Sequence, residues 1–247
     1  MSAALKLRTQ HRFSKAAHQY QRNARVQATS SEFLLSHIGP RPLGTCLDLG
    51  AGPGVNSATL AYQSELYLAL DLSPDMLAQI DVPGAKLCAD MDALPIADNT
   101  LDTVFSNFAM QWSDDIAHAF LELYRVLKPG GRAFLAIVAH DSLREVKHAF
   151  AQVGRCAIND FHQPEKLASI AKCTGFVPVW QYQRELYDHF SNGQQALKSL
   201  SAIGATSSNS AQTPITKEQY QGVLRALQDT GDEVKLSYNV VFMELIK

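Results

Sequence analysis

The stretch Leu47-Asp48-Leu49-Gly50-Ala51-Gly52-Pro53-Gly54, LDLGAGPG, decides the fold. An apolar run ends in an aspartate, and glycine then takes the alternate positions 50, 52 and 54. A short apolar run closed by glycines is the pattern of a buried strand that feeds a sharp turn. Glycine there lets the backbone turn tightly and pass close to a ligand, although an ordinary tight turn would use the same residues. The sequence on either side has to separate the two.

Outward from this stretch, short apolar runs alternate with helical patterns. Residues 45–49 (TCLDL) read as a strand, 53–62 as a helix, 66–70 (LYLAL) as a strand, 74–80 as a helix and 85–89 (AKLCA) as a strand. The series continues with a strand at 101–107 (LDTVFSN), a helix at 116–127 and a strand at 131–139 (GRAFLAIVA). Such alternation predicts an α/β protein with a parallel sheet covered by helices on both faces. Ser73 followed by Pro74 reads as an N-cap with proline at the first helical position, and Lys128-Pro129-Gly130-Gly131 as a helix stop. Before the sheet, apolar residues from Phe13 to Leu34 recur at steps of three or four, predicting one or two amphipathic helices. After it, helices are expected at 142–154, 164–174 and 217–228, and strands at 176–186 and 235–247, the last by its alternating pattern.

Composition sets the bounds. With 247 residues, 46% of them hydrophobic, the chain can bury a sizeable core. A formal net charge of -2 gives no global basic field, so no nucleic-acid partner is expected. No apolar run approaches the roughly 18 residues of a membrane span, so no membrane partner is expected and a cytoplasmic location is the default. A monomer is expected. Cys46, Cys88, Cys156 and Cys173 lie far apart and read as reduced, mostly buried thiols. The eight histidines show no zinc spacing, so no metal is expected, and no G-x-S-x-G nucleophile turn appears.

In open parallel sheets ligands bind beyond the carboxyl ends of the strands, where LDLGAGPG lies. A dinucleotide fingerprint, G-x-G-x-x-G, would need glycine at Val55, which argues against a nicotinamide dehydrogenase. Aspartate followed by G-x-G-x-G instead resembles motif I of the class I methyltransferases that use S-adenosylmethionine. The correspondence runs on in order through LALDLSPDM, LCADMDALP, VFSNFAMQW and LYRVLKPGGR, over roughly residues 45–140. The resemblance implies a Rossmann-like fold of seven mostly parallel strands, with an N-terminal helical cap and a helical insertion before the last strand. It implies that S-adenosylmethionine is held by Asp48, Gly50, Ala51, Gly52, Asp71, Leu72, Met76, Asp90, Met91 and Asn107. Asp71 would accept from the ribose hydroxyls and Asp90 from the adenine amino group.

The flanks are more specific. RFSKAAHQYQRNARVQ (12–27), the segment from SNFAMQW (106–112), LKSLSAIGAT (197–206) and LSYNVVFMELI (236–246) resemble the BioC family, malonyl-acyl carrier protein O-methyltransferases of biotin synthesis. That resemblance divides the chain into a cap (1–40), a cofactor-binding core (41–187), a substrate insertion (188–234) and a last core strand (235–247). It implies methyl transfer to the free carboxylate of a malonyl group on acyl carrier protein. Tyr20, Gln111, Trp112, Arg144 and Lys198 are the expected substrate contacts, with Arg144 and Lys198 as cations for the carboxylate; the family's further basic residue is replaced by Ser201. Arg8, Arg12, Lys15, Arg22 and Arg25 form the expected landing surface for an acidic carrier. A carboxylate is ionised at neutral pH, so no catalytic acid or base is expected. The competing readings are a methyltransferase for a small free acid or quinone precursor, and a non-catalytic binder of S-adenosylmethionine.

Overall fold

The computed structural model describes residues 10, 11, 13, 14, 24–156, 158, 160–202, 215–228 and 233–247. Its elements run α1 (Arg25–Ile38), β1 (Gly44–Leu49), α2 (Ser57–Gln63), β2 (Ser64–Asp71), α3 (Pro74–Leu77), β3 (Ala85–Cys88) and β4 (Leu101–Asn107). A 3-10 turn (Met110–Trp112) leads to α4 (Ile116–Val126), β5 (Leu127–Val138), α5 (Arg144–Ala151), α6 (Pro164–Thr174) and β6 (Val177–Phe190). Then come α7 (Gly193–Ala202), α8 (Lys217–Gln228) and β7 (Val234–Ile246). The strands form one seven-stranded sheet in the order β3-β2-β1-β4-β5-β7-β6. Among the described residues, only the β5–β7 and β6–β7 pairs are antiparallel.

The sheet is covered on both faces, and the period of two along each strand divides the core accordingly. Phe134 and Phe242 point to the face covered by α1, α5 and α8, while their neighbours Leu135 and Met243 point to the face covered by α4 and α6. Phe105, Phe120, Phe134 and Phe242 are wholly buried. Each would cost about 3 to 5 kcal/mol if cut to alanine.

Several boundaries differ from expectation for local reasons. The helix expected at 53 begins at Ser57, because Gly52 and Gly54 hold left-handed turns ahead of it. The Lys128-Pro129-Gly130-Gly131 stop belongs to β5: Leu101 pairs with Leu127, the register shifts, and pairing resumes at Thr103 and Arg132. β7 is almost wholly buried rather than alternating, since it lies between β5 and β6 instead of at an edge. β6 extends to Phe190. The polar stretch after it contains a helix, α7, held by the buried stripe Ala196, Ser199 and Leu200. Of the cysteines only Cys46, in β1, is buried; Cys88, Cys156 and Cys173 are exposed, a correction to the expectation of mostly buried thiols. Burial pushes the Cys46 thiol up to about 12, which makes it unreactive.

Two polar hubs set the loops around the sheet. Arg125 of α4 reaches across to the chain after β3, donating to Leu94 O (3.0 Å), Ile96 O (2.7 Å) and Asp98 Oδ1 (2.8 Å) while paired with Glu122. Glu122 Oε2 in turn accepts from Leu94 N (2.8 Å). In β7 the buried Glu244 carboxylate is shared by Arg41, at 3.0 Å, and Arg132. No helix among the described residues is long and apolar enough to cross a membrane.

Candidate active site

The carboxyl ends of β1, β2, β3 and β4 meet above the glycine turn. Gly50 N and Ala51 N both donate to Leu70 O, at 2.7 and 3.0 Å, which folds the turn back over β2. Gly50, Gly52 and Gly54 all have positive φ, at 72°, 55° and 83°. A Cβ on Gly50 would collide with the Ala109 methyl, so this glycine lets the turn seat against the chain after β4. A Cβ on Gly52 would meet nothing within 4 Å; the bare backbone there leaves open space over the turn.

A cavity opens on this turn. Its lining includes Gly50, Gly52, Asp71, Leu72, Met76, Asp90 and Met91 among the expected cofactor residues, and Gln111 and Trp112 among the expected substrate residues. Asp71 is the best-defined of them. Its Oδ2 accepts from Gly52 N (2.9 Å) and its Oδ1 from Ser73 N (2.8 Å). A carboxylate has about four acceptor positions, so the group keeps acceptor capacity for a ligand hydroxyl. Burial pushes this carboxyl upward, against backbone hydrogen bonds from Ser73, Gly52 and Leu72. Ser73 Oγ accepts from Met76 N (3.2 Å), capping α3 and setting Met76 against the cavity. Asp90 folds its own loop, accepting from Asp92 N at 3.0 Å.

The other expected residues lie elsewhere. Asp48 is buried below the turn, where it accepts from the Tyr67 hydroxyl (3.0 Å), itself bonded to Ser57 Oγ (2.7 Å). Burial and the charge of Asp71 push Asp48 up to about 7 against the Tyr67 hydrogen bond. Ala51 is buried inside the turn. Asn107 does not face the cavity: its Oδ1 accepts from Ser30 Oγ (2.7 Å) and its Nδ2 donates to Gln27 O (2.9 Å), so both ends bind α1 to β4. Arg144 is turned toward β6, where it pairs with Glu185, and is absent from the lining. Lys198 is exposed on α7 and also absent from the lining. Tyr20 lies outside the described residues, as do Arg8, Arg12, Lys15 and Arg22; Arg25 is exposed and 4.0 Å from Asp188.

Sequence reasoning missed much of the wall. Phe13, Gln27, Leu70, Ala89, Phe108, Ala109, Val138, Leu143, Phe161 and Tyr238 complete the lining. Phe13 meets Trp112 edge to face, with ring centroids 5.5 Å apart. Gln10 Nε2 donates to Leu72 O (2.8 Å) and Ser14 Oγ bonds Ser73 Oγ (2.9 Å), so this N-terminal piece closes over the end of β2. Phe108 and Leu143 carry left-handed backbone, φ 55° each. Such conformations cost about 1 to 3 kcal/mol in a non-glycine residue and cluster where side chains must be aimed at a site. A positive φ at a phenylalanine or leucine has no sequence signature that could have found it.

The electrostatics are one-sided. Among the described residues the lining holds two carboxylates, Asp71 and Asp90, and no lysine or arginine, with Asp48 buried behind. Such a cavity favours a cation. The donor set therefore fits S-adenosylmethionine, whose sulfonium and ammonium are positive. Asp71 would hold its ribose, the Asp90–Met91 corner its adenine, and Gly50 and Gly52 the methionine portion. No group of side chains among the described residues could hold a metal ion.

Comparison with known proteins agrees with this geometry. Residues 47–135 match the family described as "Methyltransferase domain". The malonyl-[acyl-carrier protein] O-methyltransferase of Pseudescherichia vulneris is 33% identical over 237 residues, covering 92% of each chain. The chain belongs to the malonyl-[acyl-carrier protein] O-methyltransferase family. The family member from Erwinia pyrifoliae is likewise 33% identical, over 93% of this chain and 88% of its own. In fold, the chain is similar to a methyltransferase structure from Bacillus halodurans, with a TM-score of 0.64 at 15% identity, over 87% of this chain and 97% of that one. As a member of this family the protein is an enzyme, an S-adenosylmethionine-dependent O-methyltransferase.

Proposed function

We propose that the protein esterifies the free carboxylate of a malonyl group carried on acyl carrier protein, in the cytoplasm, as an early step of biotin synthesis. The observation that carries this reading is the extent of the likeness. Identity to the malonyl-carrier methyltransferases spans 237 residues, well beyond the methyltransferase domain at 47–135, and so takes in the cap and the insertion where an acceptor would be selected.

When bound, S-adenosylmethionine supplies an electrophilic methyl group on sulfur. A malonyl carboxylate is already its conjugate base at neutral pH, so it could accept that methyl group without a base from the chain. No proton has to move. What remains for the chain is alignment and dryness. Phe13, Phe108 and Trp112 give the cavity an apolar wall, and the left-handed Phe108 fixes that wall from the end of β4. Asp71 and Asp90 would attract the charged cofactor more than its neutral product, which would favour release of the spent cofactor over the fresh one.

The test is transfer of labelled methyl groups to acceptors that each lack one feature: malonyl-carrier protein, malonyl-coenzyme A, free malonate and acetyl-carrier protein. Preference for malonyl-carrier protein supports the reading. Equal use of free malonate would move the protein to small-acid methylation.

A further inference from the structure

Both partners of the proposed reaction carry a carboxylate: the malonyl group, and the amino-acid end of S-adenosylmethionine. Each must be held in a cavity whose described lining offers acidic side chains and no cation. Arg144 and Lys198 lie away from that lining. The neutral donors are then what matters. Gln111 is spent as a donor, because its Nε2 bonds Phe108 O at 2.7 Å; its Oε1 is a buried acceptor without a donor and would repel a carboxylate. The lining side chains whose N–H groups have no partner among the described residues are Gln27 and Trp112. Trp112 is committed through its ring to Phe13, so its replacement would also remove a wall.

Gln27 is fixed in place by its backbone. Asn107 Nδ2 donates to Gln27 O (2.9 Å), and Ser30, one turn along, donates to Asn107 Oδ1 (2.7 Å), clamping the start of α1 against the end of β4. The carboxamide is thereby left at the cavity with two N–H donors. It sits in the first turn of α1, a 14-residue helix with no acidic residue in that turn and no side-chain cap from Ala24, so the helix dipole adds to the preference for an anion.

We propose that Gln27 is a carboxylate-holding residue, donating its amide N–H to a carboxylate bound in the cavity. A neutral donor suits this task. It orients the anion without the strong pairing that would draw charge from a nucleophilic oxygen. The assignment rests on the methyltransferase reading above, and the source of the carboxylate, cofactor or malonyl group, is separated by experiment.

Gln27→Leu and Gln27→Glu are compared with wild type in three measurements: calorimetric affinity for S-adenosylmethionine, affinity for its decarboxylated analogue, and the kcat and KM for malonyl-carrier protein. If Gln27 holds the cofactor's carboxylate, Gln27→Leu weakens S-adenosylmethionine about tenfold or more and leaves the decarboxylated analogue unchanged. If it holds the malonyl carboxylate, KM rises by a similar factor while both cofactor affinities stay constant. Gln27→Glu, which adds a like charge, worsens whichever arm moves. The proposal is overturned if the two cofactors weaken equally, as a merely structural role would produce, or if neither affinity nor KM moves more than about twofold. Should the wild-type enzyme methylate no malonyl thioester, the functional reading fails, while the paired cofactor affinities still test Gln27.

Discussion

At the scale of single residues, Asp71 and Asp48 stand at the ends of neighbouring strands in very different surroundings. Asp71 is oriented by backbone N–H groups from Gly52 and Ser73 and keeps acceptor capacity for a ligand. Hydrogen bonds to a charged group are worth about 1.5 to 3 kcal/mol each. Asp71→Ala is therefore expected to weaken S-adenosylmethionine by about two orders of magnitude in calorimetry, and unchanged affinity would remove Asp71 from the ribose site. Asp48 acts from below. With burial pushing it up to about 7, against about 3.9 in an unfolded chain, the native protein keeps this proton between about pH 4 and pH 7 while the unfolded chain has lost it. Stability of the ligand-free protein then falls as pH rises through that window, and this group adds no slope above it. Asp48→Asn keeps an acceptor for Tyr67 and has no proton to lose. The difference in unfolding free energy, wild type minus variant, should decline from pH 5 to 7 and level off above; a flat difference would mean that Asp48 is ionised throughout.

At the scale of elements, the antiparallel β7 is what departs from a purely parallel sheet, and Glu244 is its most exacting residue. Its side chain is 2% exposed and answers to Arg41, from the connection before β1, and Arg132, from β5. Either cation alone still pairs the carboxylate. Removing both strands it, and an uncompensated buried charge costs about 3 to 5 kcal/mol. Arg41→Ala and Arg132→Ala should each be mild in urea unfolding and the double variant worse than their sum; strict additivity would show that the two guanidiniums act independently. Elements also mark what could be read from sequence. The strand at 101–107 and the helices at 164–174 and 217–228 have the expected bounds, since periodicity and caps are local. β7 could not be read as a buried strand, because its burial depends on which strands flank it.

At the scale of the whole molecule, the same division explains the site. Gly50, Gly52, Asp71 and Asp90 were legible because each lies at or just beyond the end of a strand, and a parallel sheet brings strand ends to one edge. Gln27, Phe108, Leu143 and Tyr238 were not, since they reach the cavity through the packing of α1 and the placing of β7 beside β5. Asn107 and Arg144 show the converse: the right residue types near the site, whose side chains are consumed by Ser30 and Gln27 in one case and by Glu185 in the other. Together the molecule presents an acidic cradle for a cationic methyl donor and a dry apolar wall beside it, and the central claim is that the methyl group leaves on a carboxylate. The most direct test is to incubate the protein with labelled S-adenosylmethionine and either malonyl- or acetyl-carrier protein, and to follow base-labile methyl ester. Label on the malonyl form alone, released by mild base, is the predicted result; equal labelling of the acetyl form, or label that base does not release, would contradict it.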